Sequence, residues 1–246
     1  MIRNYKIELS YDGTRYKGWE HQPGIEMTIQ GKLENVLTEM VKSPVEVIGA
    51  GRTDAGVHAK AMVANARLDT DMTDFEIRDY MNRYLPEDIC INSVKAASDR
   101  FHSRYNAVGK TYCYTCYIGE KKPVFNRKYV YCTPFKPDLM LMREAALYLT
   151  GEHDFASFCS NPKMKKSTVR TVDSIDIESR GDYLYFTYHG SGFLQHMVRI
   201  MTGTLLEVGY KERSPESMKE LILSKKRALA GKTAPASGLC LIKVDY

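Results

Sequence analysis

Residues 45–68 read VEVIGAGRTDAGVHAKAMVANARL, an apolar run (45–50), a polar loop and a run of small and β-branched residues (60–68). Gly49, Gly51 and Gly56 punctuate the middle, where the chain must turn tightly between two strands. The stretch is therefore a strand–loop–strand unit from whose rigid base a polar side chain can project.

Upstream, Tyr5, Ile7, Leu9 and Tyr11 alternate as in a half-buried strand. Thr28 is placed to cap a helix in which Ile29, Leu33, Val36, Leu37, Met40 and Val41 share one stripe. Downstream, Thr73 and Glu76 form a capping box that opens a second helix, and a strand follows near 89–97. The order is βαββαβ. The rest of the chain repeats it with one extra helix. Residues 110–118 alternate, 137–150 are helical, and 169–179 and 183–189 are strands separated by Arg180, Gly181 and Asp182. A helix over 193–208, another starting at Ser214 and Pro215, and a strand at 240–245 complete the pattern.

Such a pattern predicts an α+β fold of two ferredoxin-like units, each with helices on one face of its sheet. Residues 1–102 form the first domain, carrying the glycine loop, and 103–246 the second, with the boundary in the segment 98–105. With the sheets side by side, their open faces make a central cleft of the kind on which single-stranded bases stack. Seventeen tyrosines against one tryptophan suit that surface, although tyrosine is also a good strand former.

A chain of 246 residues, 43% hydrophobic and 26% charged, has an ordinary globular composition. No apolar run reaches the roughly 18 residues of a membrane span, and the N-terminus reads as a strand, so a cytoplasmic protein is expected. Residues 1–100 hold 13 Lys and Arg against 16 Asp and Glu, and 101–246 hold 22 against 14. The second half is basic, as a phosphate-binding face requires. Basic runs at Lys121, Lys122, Arg127 and Lys128, at Lys163, Lys165, Lys166 and Arg170, and at Lys225, Lys226 and Arg227 are its candidate contacts. Six cysteines lie in apolar or alternating stretches and are expected to be reduced. Cys113 and Cys116 form one CxxC without a second pair at zinc spacing, so no metal is expected.

The three glycines do not make a nucleotide-binding loop, because their spacing is GxGxxxxG and no Gly-Lys-Ser/Thr follows. The loop offers one carboxylate, Asp54, among small residues that let a substrate approach. From the residues alone, Asp54 either carries chemistry or closes a turn by bonding its own backbone. A metal-dependent nuclease or phosphatase needs several converging ligands. Only Asp54 and His58 are at hand, and His58 suits packing at a strand start. A non-catalytic RNA binder stays open, but a carboxylate facing phosphate repels it.

The segment from Gly49 to Ala59, GAGRTDAGVHA, resembles the catalytic loop of the tRNA pseudouridine synthase A family. The resemblance continues through Tyr11–Trp19 (YDGTRYKGW), Gln30, Ser103–Ala107 leading into Lys110–Tyr114, Gly151–Phe155, Gly192–Arg199 and Gly238–Leu239. It covers nearly the whole chain. It implies a pseudouridine synthase fold and isomerisation of uridine to pseudouridine at positions 38, 39 and 40 of the tRNA anticodon stem-loop. No cofactor is implied, and the enzyme is expected to act as a homodimer.

Carried over by position, the resemblance implies that Asp54 is the essential aspartate and that Arg52 helps take the target nucleotide out of its stack. It implies further that Tyr112 stacks on the uracil, Arg199 pairs with the aspartate, and Leu239 lines the base pocket. By pattern alone, Tyr105 and Tyr114 compete with Tyr112 for the stacking role. Glu20 and His21 depart from the family, where a Gln-Arg type pair is usual after Trp19. Met62 stands where Gln is common, and the stretch from Asn161 to Lys166 is more charged than usual.

Overall fold

The computed structural model describes residues 1–161 and 164–246, so Lys163 of the candidate phosphate contacts lies outside the described residues. In chain order the elements are β1 (Ile2–Tyr11), α1 (Ile29–Val41), β2 (Val47–Gly49), β3 (His58–Asp69), α2 (Asp74–Tyr84) and β4 (Ile89–Ala97). They continue with β5 (Gly109–Tyr117), β6 (Tyr131–Cys132), α3 (Leu139–Leu147), β7 (Gly151–Asp154), β8 (Val169–Arg180) and β9 (Tyr183–Gly190). The last are α4 (Met197–Gly209), α5 (Ser217–Ser224) and β10 (Leu239–Asp245). The chain divides into two compact units, Met1–Val108 with Cys240–Tyr246, and Gly109–Leu239.

In the first unit, β1 lies antiparallel between β3 and β4, with Ile7 opposite Ala64 and Val94. The two ends of β3 take different neighbours: β2 pairs with it from Ala64 to Ala66, and β10 runs parallel to its start at His58 and Ala59. Both helices start as the sequence predicts. Thr28 Oγ1 accepts from Gly31 N–H at 3.3 Å, and Thr73 and Glu76 form a reciprocal capping box. Helix α1 buries Ile29, Leu33 and Leu37, and α2 buries Ile77 and Met81, each such side chain contributing about 1.5–3 kcal/mol.

A 102/103 boundary with everything later in the second domain needs adjusting at two places. Residues 98–106 are fastened to the first unit. Asn4 Nδ2 donates to the carbonyls of Ser98 and Phe101, both at 2.9 Å, and Asn65 Oδ1 accepts from Ser103 N–H at 2.9 Å. Ser103 Oγ donates to Ile48 O at 2.6 Å. The chain's last residues also belong here: Val108 N–H donates to Asp245 O, and the Tyr246 hydroxyl donates to Ser103 O at 2.7 Å.

The second unit is an antiparallel sheet in the order β5-β9-β8-β7, with the short β6 parallel to β5. Tyr112 faces Tyr188 across β5 and β9, and Ile177 faces Phe186 across β8 and β9. Helices α3 and α4 cover the Tyr188 side: Arg143 Nε donates to Ile177 O, and the Tyr188 and Thr202 hydroxyls are 2.8 Å apart. Helix α4 is buried on nearly every side, which fits its mostly apolar sequence. It begins at Met197, four residues later than its apolar pattern predicts, because His196 adopts a left-handed conformation (φ 60°). Residues Gly151–Asp154 of the block Gly151–Phe155 form an edge strand, β7, entered through Gly151 at φ +101°.

Candidate active site

The loop bearing Asp54 runs from Ala50 to Val57 between β2 and β3. Ala50 N–H donates to Val63 O at 2.7 Å, fixing one end. Val57 N–H donates to Asp54 O at 3.1 Å, with Gly56 at φ +80° completing the turn. The segment 11–19 holds the loop from one side. The Tyr11 and Thr53 hydroxyls are 2.8 Å apart, Trp19 N–H donates to Thr53 O at 3.0 Å, and Gly56 N–H donates to Tyr16 O at 3.3 Å. The residues either side of Asp54 are therefore pinned while Asp54 itself stays partly exposed.

Glycine makes this approach possible. A Cβ on Gly13 would lie 2.0 Å from Val57 O, and one on Gly49 would lie 2.5 Å from the buried Trp19 indole. Tyr16 is anchored in turn, its hydroxyl donating to Asp88 Oδ1 at 2.6 Å. Burial first, then the Asp88 carboxylate, pushes that hydroxyl above the usual phenol range, so it remains a donor at neutral pH. His58 is buried at the strand start, its Nδ1 3.1 Å from Gly13 N–H and 3.2 Å from Asp12 Oδ1. It ties the loop's exit to the same segment.

Arg52 is exposed and forms an ion pair with Glu20. These two residues and Asp54 belong to the first unit; Tyr112, Arg199 and Leu239 belong to the second.

In the second unit Tyr112 lies on the helix side of β5 at 8% exposure, its ring edge-on to Phe193 at 5.4 Å. Arg199 sits in the first turn of α4 between buried Val198 and Ile200. Its Nε donates to Ala234 O at 2.8 Å, and Ala234 N–H donates back to Arg199 O at 3.1 Å. Leu239 is buried just after a 3-10 turn at Ala236–Gly238. Tyr114 draws these pieces together. Its hydroxyl donates to Pro235 O at 2.8 Å, and a Cβ on Gly238 would lie 2.6 Å from its ring.

The three tyrosines differ in exposure. Tyr114 is fully buried, and that burial pushes its hydroxyl far above the usual range, so it is a packing residue. Tyr105 is 76% exposed with its ring 4.2 Å from His102. Tyr114→Phe is expected to cost about 1–3 kcal/mol by stranding the Pro235 carbonyl, a loss that urea unfolding measures directly.

Several residues that shape the site were not singled out from sequence for that purpose: Tyr11, Thr53, Tyr16, Asp88 and Phe193. Tyr11 carried a strand signal and opened the family-like block Tyr11–Trp19 without a role of its own, and Asp88 lies 72 positions from its partner Tyr16. Among the basic candidates, Lys225 pairs with Asp154 at 2.8 Å, and Arg227 bonds Ala230 O and Thr233 Oγ1. Arg127 donates to Val124 O and Arg170 to Ser167 O and Val169 O, so these four have intramolecular partners. Cys113 and Cys116 are three positions apart on β5 and so face opposite sides of the sheet. Among the described residues no three His, Cys, Asp or Glu side chains gather to hold a metal ion.

A profile of the family described as tRNA pseudouridine synthase matches residues 9–106 and 145–246. A protein of Bacillus sp. (strain KSM-64) named tRNA pseudouridine synthase A is 45% identical over 245 residues, spanning 100% of both chains. Proteins named tRNA pseudouridine synthase A 1 from Clostridium tetani (strain Massachusetts / E88) and A 2 from Bacillus anthracis are 44% and 41% identical, again over 100% of both chains.

Proposed function

The chain belongs to the tRNA pseudouridine synthase family, and from that premise we propose that it isomerises uridines 38, 39 and 40 of the tRNA anticodon stem-loop with Asp54 as the catalytic carboxylate. The observation that carries the role of Asp54 is its setting. A partly exposed carboxylate sits between Thr53, held by Tyr11 and Trp19, and a turn held by Tyr16.

The reaction breaks the N1–C1′ bond, turns the uracil and joins C5 to C1′. The proton on C5 is lost and N1 ends protonated, so nothing is gained, lost or oxidised overall. The reading therefore includes no cofactor. An ionised Asp54 serves each available route: attack at C1′, attack at C6, or removal of the proton next to C1′ on the way to a glycal. Extruding the target nucleotide costs a few kcal/mol. Arg52 offsets this by occupying the vacated space, and Tyr112 by stacking on the base. Arg199 supplies fixed positive charge, since a guanidinium keeps its proton at working pH. Leu239 contributes an apolar wall to the base pocket.

The reading also places the protein in the cytoplasm as a homodimer; no helix among the described residues is long and apolar enough to cross a membrane. Purified protein incubated in chelator with an unmodified anticodon stem-loop transcript tests the reaction and its position. Position-resolved mapping is expected to find pseudouridine at 38–40. Product at other positions only, or product only after a divalent ion is restored, contradicts the proposal.

A further inference from the structure

The Glu20–Arg52 ion pair is mounted on a frame more rigid than its exposure suggests. Glu20 is clamped through both chain neighbours. Trp19 N–H donates to Thr53 O at 3.0 Å and its carbonyl accepts from Gln30 N–H at 2.9 Å, while His21 N–H donates to Gln30 Oε1 at 2.9 Å. The His21 ring meets Glu34 Oε2 at 2.8 Å, and Gln30 is itself fixed to Val47 O and Glu34. On the other side, Arg52 precedes Thr53, which Tyr11 holds. The pair thus joins two anchored pieces of backbone, two residues from Asp54 along the chain. Its side chains are still 44% and 60% exposed, open to a competing anion.

We propose that Glu20 is a positioning residue for Arg52: an exchangeable counter-ion that holds the guanidinium until a phosphodiester of the RNA displaces the carboxylate. This rests on Arg52 being a contact for the substrate RNA. An exposed pair of this kind contributes little to folding, so its effect falls on binding. Before a phosphate engages Arg52, the carboxylate must be pushed aside. Glu20 therefore weakens association with any RNA whose backbone reaches Arg52.

Glu20→Gln keeps the shape and removes the charge. The variant is expected to lower KM for the anticodon stem-loop about fivefold, leave kcat within twofold, and tighten binding of an unrelated RNA hairpin. In an Arg52→Ala background, Glu20→Gln is expected to change KM by less than twofold. An unchanged or raised KM for Glu20→Gln overturns the proposal. So does a drop in KM that persists without Arg52, which makes Glu20 a simple repulsive charge. If Arg52→Ala alone alters neither KM nor kcat, the assignment of Arg52 as an RNA contact fails, and the counter-ion role fails with it for a separately visible reason.

Discussion

Asp54→Ala is expected to abolish pseudouridine formation, lowering turnover by at least about 10⁴-fold, the scale seen when a reacting side chain is deleted. The tRNA affinity should stay within about tenfold of wild type, because phosphate contacts dominate binding. The turn at 54–57 is closed by the Asp54 backbone carbonyl, and the loop is anchored through Thr53 and Gly56. Circular dichroism and unfolding midpoints of variant and wild type, read on the same preparations, separate lost turnover from lost fold. A non-catalytic RNA binder makes a different prediction: loss of a negative charge in the loop tightens binding and nothing else changes. Measuring turnover and affinity on the same preparation decides between them.

Gly18→Ala is expected to be the next most damaging change, although the residue touches no substrate in this account. Gly18 has φ +100°, and an added Cβ would lie 2.7 Å from Thr53 O, 3.2 Å from Ala55 N and 3.3 Å from Asp54 C. All three are backbone atoms of the Asp54 loop, so the loop must move. A displacement of about 1 Å at a reacting group costs on the order of 10²-fold in rate, and kcat should fall by that factor. Gly24→Ala is the control. Gly24 also has a positive φ, +76°, but nothing lies within 4 Å of its Cβ position. That variant should lose about 1 kcal/mol of stability and keep its kcat. Equal effects of the two substitutions would mean that backbone strain, and not displacement of the loop, governs the rate.

What the sequence reveals tracks how local the cause is. The capping box of Thr73 and Glu76 and the Thr28 cap satisfy helix ends within three residues, so they are visible in the sequence. The alternation in β1 and β5 is set by a period of two and is equally visible. That same period places Tyr112 and Tyr114 on one face, so pattern alone could not tell a stacking residue from a packing one. Their environments differ through Pro235 and Gly238 for Tyr114 and Phe193 for Tyr112, all distant in sequence. The late start of α4 follows from the left-handed His196, a residue type with no strong demand for that conformation. Asn4, Asn65 and residues 98–106 meet through hydrogen bonds spanning up to 97 positions, which is why a segment suited to a linker belongs to the first unit. The Glu20–Arg52 pair is long-range too, and its constituents have no special spacing.

Whether the Asp54 carboxylate performs the isomerisation at the anticodon arm is tested most directly by complementation in cells lacking this protein, with position-resolved mapping of pseudouridine in their tRNA. Wild-type chain is expected to restore the modification at 38–40, and Asp54→Asn, which preserves the side chain's shape without its charge, is expected to restore none. Recovery of pseudouridine at those positions by Asp54→Asn, at a protein level matching wild type, would contradict the account.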